Sequence, residues 1–106
     1  MTAALTLEVA TNDDMLTITA HGDLDLTTCH HLLAATTDAT ATNTVATIVL
    51  DLTDLGFCDS AGLGALVRIH RAGQRYNRLL ILHAPAPDLR RMLEITGLTE
   101  VFVIEP

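Results

Sequence analysis

Ser60 is the residue of this chain best placed to do chemistry. It follows Asp59 and opens the run Ser60-Ala61-Gly62-Leu63-Gly64-Ala65-Leu66, where small and apolar residues recur at helical spacing. Just upstream lies the strand-like run Ala46-Thr47-Ile48-Val49-Leu50-Asp51-Leu52. A serine where a strand hands over to a helix is exposed, beside free backbone N–H groups and the positive end of the helix dipole. A phosphate added to its hydroxyl is favoured there. Gly62 and Gly64 leave room for a partner or nucleotide to approach the backbone. The structural alternative for Ser60 is an ordinary helix N-cap, for which serine is a preferred type.

Other chemistries fit poorly. Cys58-Asp59-Ser60-Ala61-Gly62 lacks the first glycine of a Gly-x-Ser-x-Gly nucleophile elbow, so Ser60 reads as a substrate more than as a nucleophile. Gly62-Leu63-Gly64 has no third glycine at dinucleotide spacing, and there is no Gly-Lys-Ser/Thr phosphate loop, so no cofactor is expected. His21, His30, His31, His70 and His83 show no HExxH spacing and no Cys-x-x-Cys occurs, so no metal ligands are assigned. Cys29 and Cys58 are read as free thiols.

The elements that position Ser60 follow from periodicity. Leu5, Leu7 and Val9, then Leu16, Ile18 and Ala20, alternate with polar residues as in half-buried strands, and Thr11-Asn12-Asp13-Asp14 links them as a hairpin. The second strand ends at Gly22. Cys29, Leu32, Leu33 and Thr36 repeat at helical spacing, with Asp25 or Thr27 as the N-cap. The threonine-rich run Thr36–Thr44 has poor helix propensity, and its later part is expected to be a solvated loop. The central strand, residues 46–52, has the apolar continuity of a parallel strand buried on both sides.

After Ser60, Ala65, Leu66, Ile69, Ala72, Gly73 and Tyr76 share one helical face, while Arg68, Arg71, Arg75 and Arg78 form a stripe read as a solvated face. Leu79-Leu80-Ile81-Leu82 is a further strand. Pro85-Ala86-Pro87-Asp88 starts a third helix with Leu89, Met92 and Leu93 inward and Gly97 at its C-terminal end, and Val101–Ile104 makes a last strand. The order β-β-α-β-α-β-α-β predicts an α/β fold: a mixed, mainly parallel sheet with an N-terminal hairpin and three principal helices. Strand order stays open.

At 106 residues, the expectation is a single domain spanning 1–106. No apolar run reaches the roughly 18 residues of a membrane span, and Met1–Thr6 carries no secretory signal pattern, so a cytoplasmic location is expected. Residues 1–59 hold nine acids and no Lys or Arg, whereas residues 60–106 hold all six arginines and four acids. The sign changes at Asp59-Ser60. The acidic excess, net −7, argues against direct nucleic-acid binding and for a basic protein partner.

Phe57-Cys58-Asp59-Ser60-Ala61-Gly62-Leu63-Gly64 resembles the signature of the STAS domain of bacterial anti-sigma factor antagonists. Gly22-Asp23-Leu24-Asp25 resembles that family's upstream acidic motif, and Leu93-Glu94-Ile95-Thr96-Gly97-Leu98 its last-helix ending. The resemblance implies a STAS-like fold and a phosphorylatable serine at Ser60. It also implies a partner, an anti-sigma factor that is itself a serine kinase and supplies ATP and magnesium, docking on the edge formed by Asp23, Asp25, Asp59, Ser60, Ala61, Gly62, Leu63 and Gly64. Asp23, Asp25 and Asp59 read equally as turn and cap residues or as an acidic rim on that edge. The leading expectation is a non-enzymatic anti-sigma factor antagonist, switched off by phosphorylation of Ser60. The alternatives are a non-phosphorylated STAS subunit of a membrane-associated lipid-transport complex and, last, a small hydrolase using Ser60. Oligomeric state is left open.

Overall fold

The computed structural model describes residues 4–106. Strands β1 (Thr6–Asn12) and β2 (Met15–Leu24) form the expected antiparallel hairpin, with Asn12 opposite Met15. Asp13 takes the left-handed conformation that closes the tight turn, φ 53°, which aspartate tolerates better than most residues.

Helix α1 (Cys29–Thr42) takes in most of the threonine-rich run, so of the expected loop only Asn43 and Thr44 lie outside the helix. The side chains explain the difference. The hydroxyls of Thr36, Thr37, Thr40 and Thr42 each donate to the carbonyl four residues earlier, at 2.8, 2.9, 2.8 and 3.3 Å, which satisfies them inside the helix. The cap also differs from expectation: Thr28 is the flanking residue and makes no side-chain cap bond. Asp25 instead organises the turn before it, its carbonyl accepting from the Thr28 and Cys29 N–H groups at 3.1 and 2.8 Å.

Strand β3 (Thr47–Asp51) pairs parallel with β2 and with β5 (Leu79–His83), and β5 pairs parallel with β6 (Val103–Glu105). The order is β1-β2-β3-β5-β6. A further short strand, β4 (Leu55–Cys58), pairs parallel with the far end of β2. It lies in the segment expected to be a polar turn. Leu55-Gly56-Phe57-Cys58 is too short and too glycine-broken for periodicity to reveal it.

Helix α2 (Ser60–Arg75) returns to β5, and α3 (Pro87–Ile95) returns to β6 through a 3-10 turn at Leu98–Glu100. Every crossover steps the same way across the sheet, so right-handed connections place all three helices on one face. The core lies between: Leu16, Ile18, Leu50 and Leu82 of the sheet cluster with Leu32, Leu66, Ile69, Leu89 and Leu93 of the helices. Val49 points to the helix-free face and is still only 8% exposed, flanked by its cross-strand neighbours Thr17 and Ile81. Gly97 adopts a left-handed conformation just past α3, as expected of the residue ending that helix. Tyr76 departs from expectation. The helix ends at Arg75, and Tyr76 lies exposed with the Arg78 guanidinium 5.2 Å from its ring centroid.

Candidate functional site

The site forms where β2 and β4 end together. Pairing of Gly22 with Leu55 and of Leu24 with Cys58 carries the loop after β2 and the turn before α2 to the same sheet edge. Here the chain folds tightly. A Cβ at Gly62 would sit 2.4 Å from the Leu24 carbonyl oxygen, so only glycine lets the first turn of α2 come this near to β2.

The carboxylates expected at this edge are all brought there, and each is engaged with the chain's own donors. Asp59 is the N-cap of α2: its Oδ1 accepts from Gly62 N–H at 2.9 Å and its Oδ2 from Leu26 N–H at 3.2 Å. Asp23 Oδ1 accepts from Phe57 N–H at 2.9 Å. Asp25 Oδ1 accepts from Thr27 N–H at 2.9 Å, from the Thr27 hydroxyl at 2.7 Å and from the Thr28 hydroxyl at 3.3 Å. Asp25 is 5% exposed, and its carboxyl is held below the usual range chiefly by the Thr27 hydroxyl, against the opposing effect of burial. These three aspartates therefore build the edge. Asp25 in particular presents almost nothing to a partner.

With Asp59 capping, Ser60 has no capping task. It is the first residue of α2, exposed, and its hydroxyl makes no hydrogen bond among the described residues. Beside it, Ala61 is half-buried and Gly64 exposed, whereas Gly62 and Leu63 are buried, the first against Leu24 and Cys58, the second in the core. The accessible part of the expected contact face is thus Ser60 and Gly64, with Asp23, Asp59 and Ala61 half-buried beside them. Cys58 is buried, and burial together with the adjacent Asp59 carboxylate pushes its thiol up to about 12.

Two further residues were not expected here. Leu26 is 74% exposed and Phe57 is 52% exposed, and they sit on the two segments whose backbone N–H groups Asp59 and Asp23 hold. Leu26 stands alone among loop residues, and Phe57 opens the signature-like segment but is not among its expected contact residues. No three His, Cys, Asp or Glu side chains converge as a metal site among the described residues, and none of their helices is long and apolar enough to cross a membrane.

Residues 6–106 match the STAS domain. The chain belongs to the STAS-domain family. Its relatives include an anti-sigma F factor antagonist of Lysinibacillus sphaericus, 30% identical over 92 residues that make up 87% of this chain and 78% of that protein. The crystal structure of an anti-sigma factor antagonist from Mycobacterium paratuberculosis is similar over 97% of this STAS domain and 86% of that chain, with a TM-score of 0.85 and 25% identity. The Bacillus cell fate determinant SpoIIAA in its phosphorylated form is similar over 97% of this chain and 92% of its own, with a TM-score of 0.73 and 25% identity. The mixed, mostly parallel sheet and three helices of this STAS domain agree with the fold expected from the sequence.

Proposed function

We propose that this STAS domain is a cytoplasmic anti-sigma factor antagonist that binds a serine-kinase anti-sigma factor while Ser60 is unphosphorylated, and so releases a sigma factor. Phosphorylation of Ser60 by that partner turns binding off. The partner supplies ATP and magnesium, and this chain carries out no catalysis of its own. The observation that carries this reading is the free, exposed Ser60 hydroxyl next to a cap already provided by Asp59. A serine kept only for capping would have its oxygen on a backbone N–H. Similarity to named antagonists, one of them described in a phosphorylated form, supports the same role.

The physical basis of the switch is charge. A phosphoserine adds about −1.5 to −2 charges, here at the start of α2 where free N–H groups accommodate it. Those charges fall next to Asp59, which holds the Leu26 segment, and at the end of the strand that carries Phe57, and the exposed apolar surface of Leu26 and Phe57 suits the dry centre of a protein contact. A partner seated on them would have to desolvate a dianion.

The test is incubation of the protein and a Ser60→Ala variant with Mg-ATP and purified candidate anti-sigma kinases, followed by intact-mass and peptide mapping and by binding measurements. One phosphate on Ser60 in the wild type, with loss of binding in a Ser60→Glu variant, supports the reading. A stable complex insensitive to Ser60→Glu overturns it.

A further inference from the structure

The long seam between α1 and α2 is open along its outer side. At one end a cleft of about 250 Å³ descends between the helices to Ile48 of β3, walled by Leu33, Thr36, Ile69 and Gly73 and closed by Tyr76 and Arg78. A shallower hollow continues it toward the start of α2, lined by Cys29, Ala61, Gly64, Ala65 and Arg71. Leu33 and Arg68 border both parts, so the two form one groove. From Ala61 to Tyr76 the groove follows α2 for about 22 Å, the length of roughly four helical turns.

Two features of this groove have no internal explanation. The first is Gly64, in the middle of a helix where glycine costs stability relative to alanine. At Gly62 and Gly73 a Cβ would meet backbone oxygen at 2.4 and 3.1 Å, but at Gly64 it would meet nothing within 4 Å. The space above Gly64 is thus open, and nothing within the described residues calls for a glycine there. The second is charge. Although the protein is acidic overall, every ion pair among the described residues uses a histidine, and none of the arginines lies within ion-pair distance of a carboxylate. Arg68, Arg71 and Arg78 line an apolar trough with no carboxylate beside them, Arg78 resting against the Tyr76 ring.

We infer that this groove is a docking site for an acidic amphipathic helix of a partner protein. Apolar side chains of that helix fill the trough over Leu33, Ile69 and Gly64, and carboxylates one turn apart meet Arg71 and Arg68, with another reaching Arg78. The spacing selects a helix. Arg68 and Arg71 lie one turn apart on α2 and Arg78 lies at the far end, a distribution that matches repeated carboxylates and not the single head group of a lipid. The groove shares Ala61 and Gly64 with the proposed anti-sigma contact face but does not use the Ser60 hydroxyl, so a Ser60→Glu change, which should abolish anti-sigma binding and leave peptide binding intact, distinguishes the two readings.

The probe is a fluorescein-labelled, helix-forming peptide with leucines along one face and glutamates flanking them, titrated with the full chain by anisotropy and mapped by amide chemical shifts. The expected result is saturable binding with shifts centred on Leu33, Gly64 and Ile69. Arg68→Glu/Arg71→Glu should weaken it by about tenfold or more, and Gly64→Phe should abolish it. Since all three positions are exposed on α2, the variants should keep the wild-type circular dichroism spectrum and melt no lower than the wild type, the Gly64 variant gaining from better helix propensity. Absence of saturation up to about 1 mM peptide overturns the proposal. So does equal binding of a glutamine version, or shifts located elsewhere. Arginine-dependent binding of dodecanoate without binding of the peptide would assign the groove to a fatty anion and overturn it as well.

Discussion

Asp59 accepts a hydrogen bond from the Leu26 backbone N–H at 3.2 Å across a separation of 33 residues, while its other oxygen caps α2 through Gly62 N–H at 2.9 Å. One carboxylate therefore ties the β2–α1 loop to the first turn of the helix that carries Ser60. Asp59→Ala removes both bonds, and the expected cost is about 1–2 kcal/mol, the usual range for a lost cap. Asp59→Asn keeps one acceptor oxygen and should cost less. Urea unfolding measures the difference, and hydrogen exchange should show the Leu26 and Gly62 amides exchanging faster in the alanine variant while the core strands stay protected.

Ser60→Ala should change stability by no more than about 0.5 kcal/mol, as expected for an exposed side chain that makes no intramolecular bond. Ser60→Asp should be neutral or slightly stabilising, because a negative charge at the first helical position meets the positive end of the dipole. Thermal melts at low salt would show both. A loss above about 1 kcal/mol in the alanine variant would mean that Ser60 caps the helix after all.

Much of this edge was legible in the sequence, and what was missed has particular causes. The central strand β3 shows as an unbroken apolar run and the helix after Ser60 as a long periodic segment, and these two patterns identify them. β4 was missed because four residues with a glycine among them carry no period, and pairing with the end of β2 creates the strand. The second half of α1 was missed because threonine propensity reflects competition between hydroxyl and backbone, and in this helix the hydroxyls bond back to it. The capping role passed from Ser60 to Asp59 for a similar reason: both are good caps one residue apart, and only geometry decides between them.

The Thr27 hydroxyl is the main reason that the Asp25 carboxyl lies below its ordinary value of 3.8. A depressed folded pKa contributes stability that is present above the unfolded value and lost as the pH falls through the folded one. Thr27→Val removes the strongest donor and lets the folded pKa rise back toward 3.8. The variant should be less stable at neutral pH, and its acid unfolding should begin at a higher pH than in the wild type. Circular dichroism across an acid titration gives both comparisons, and an unchanged acid limb would assign the low pKa to another donor.

Cys58, with its thiol raised to about 12, should resist alkylation near pH 8, whereas the partly exposed Cys29 should react. One thiol should therefore titrate promptly with a disulfide reagent and the second only on unfolding. The raised pKa also sets an alkaline limit. Stability is fully present below the unfolded thiol pKa near 9 and declines as the pH rises toward 12, because the unfolded chain ionises first. Cys58→Ser should remove much of that alkaline decline, since a hydroxyl does not ionise there.

Gly62 and Gly64 stand two residues apart in one helix and should respond oppositely to the same change. In Gly62→Ala the new methyl meets the Leu24 carbonyl oxygen at 2.4 Å and the Cys58 Sγ at 2.9 Å, and the carbonyl cannot move without disturbing the end of β2. The expected cost is about 1–3 kcal/mol, as for other overpacked sites. In Gly64→Ala the methyl meets nothing within 4 Å, so the helix should gain about 0.5–1 kcal/mol from better propensity alone. Urea midpoints of the two variants against the wild type give the signs directly. A stabilised Gly64→Ala would mean that glycine at this position is not kept for folding, the result that a role in contact with another molecule requires. A destabilised one would reveal a packing demand within the helix and remove one of the two supports for a partner in the α1–α2 groove.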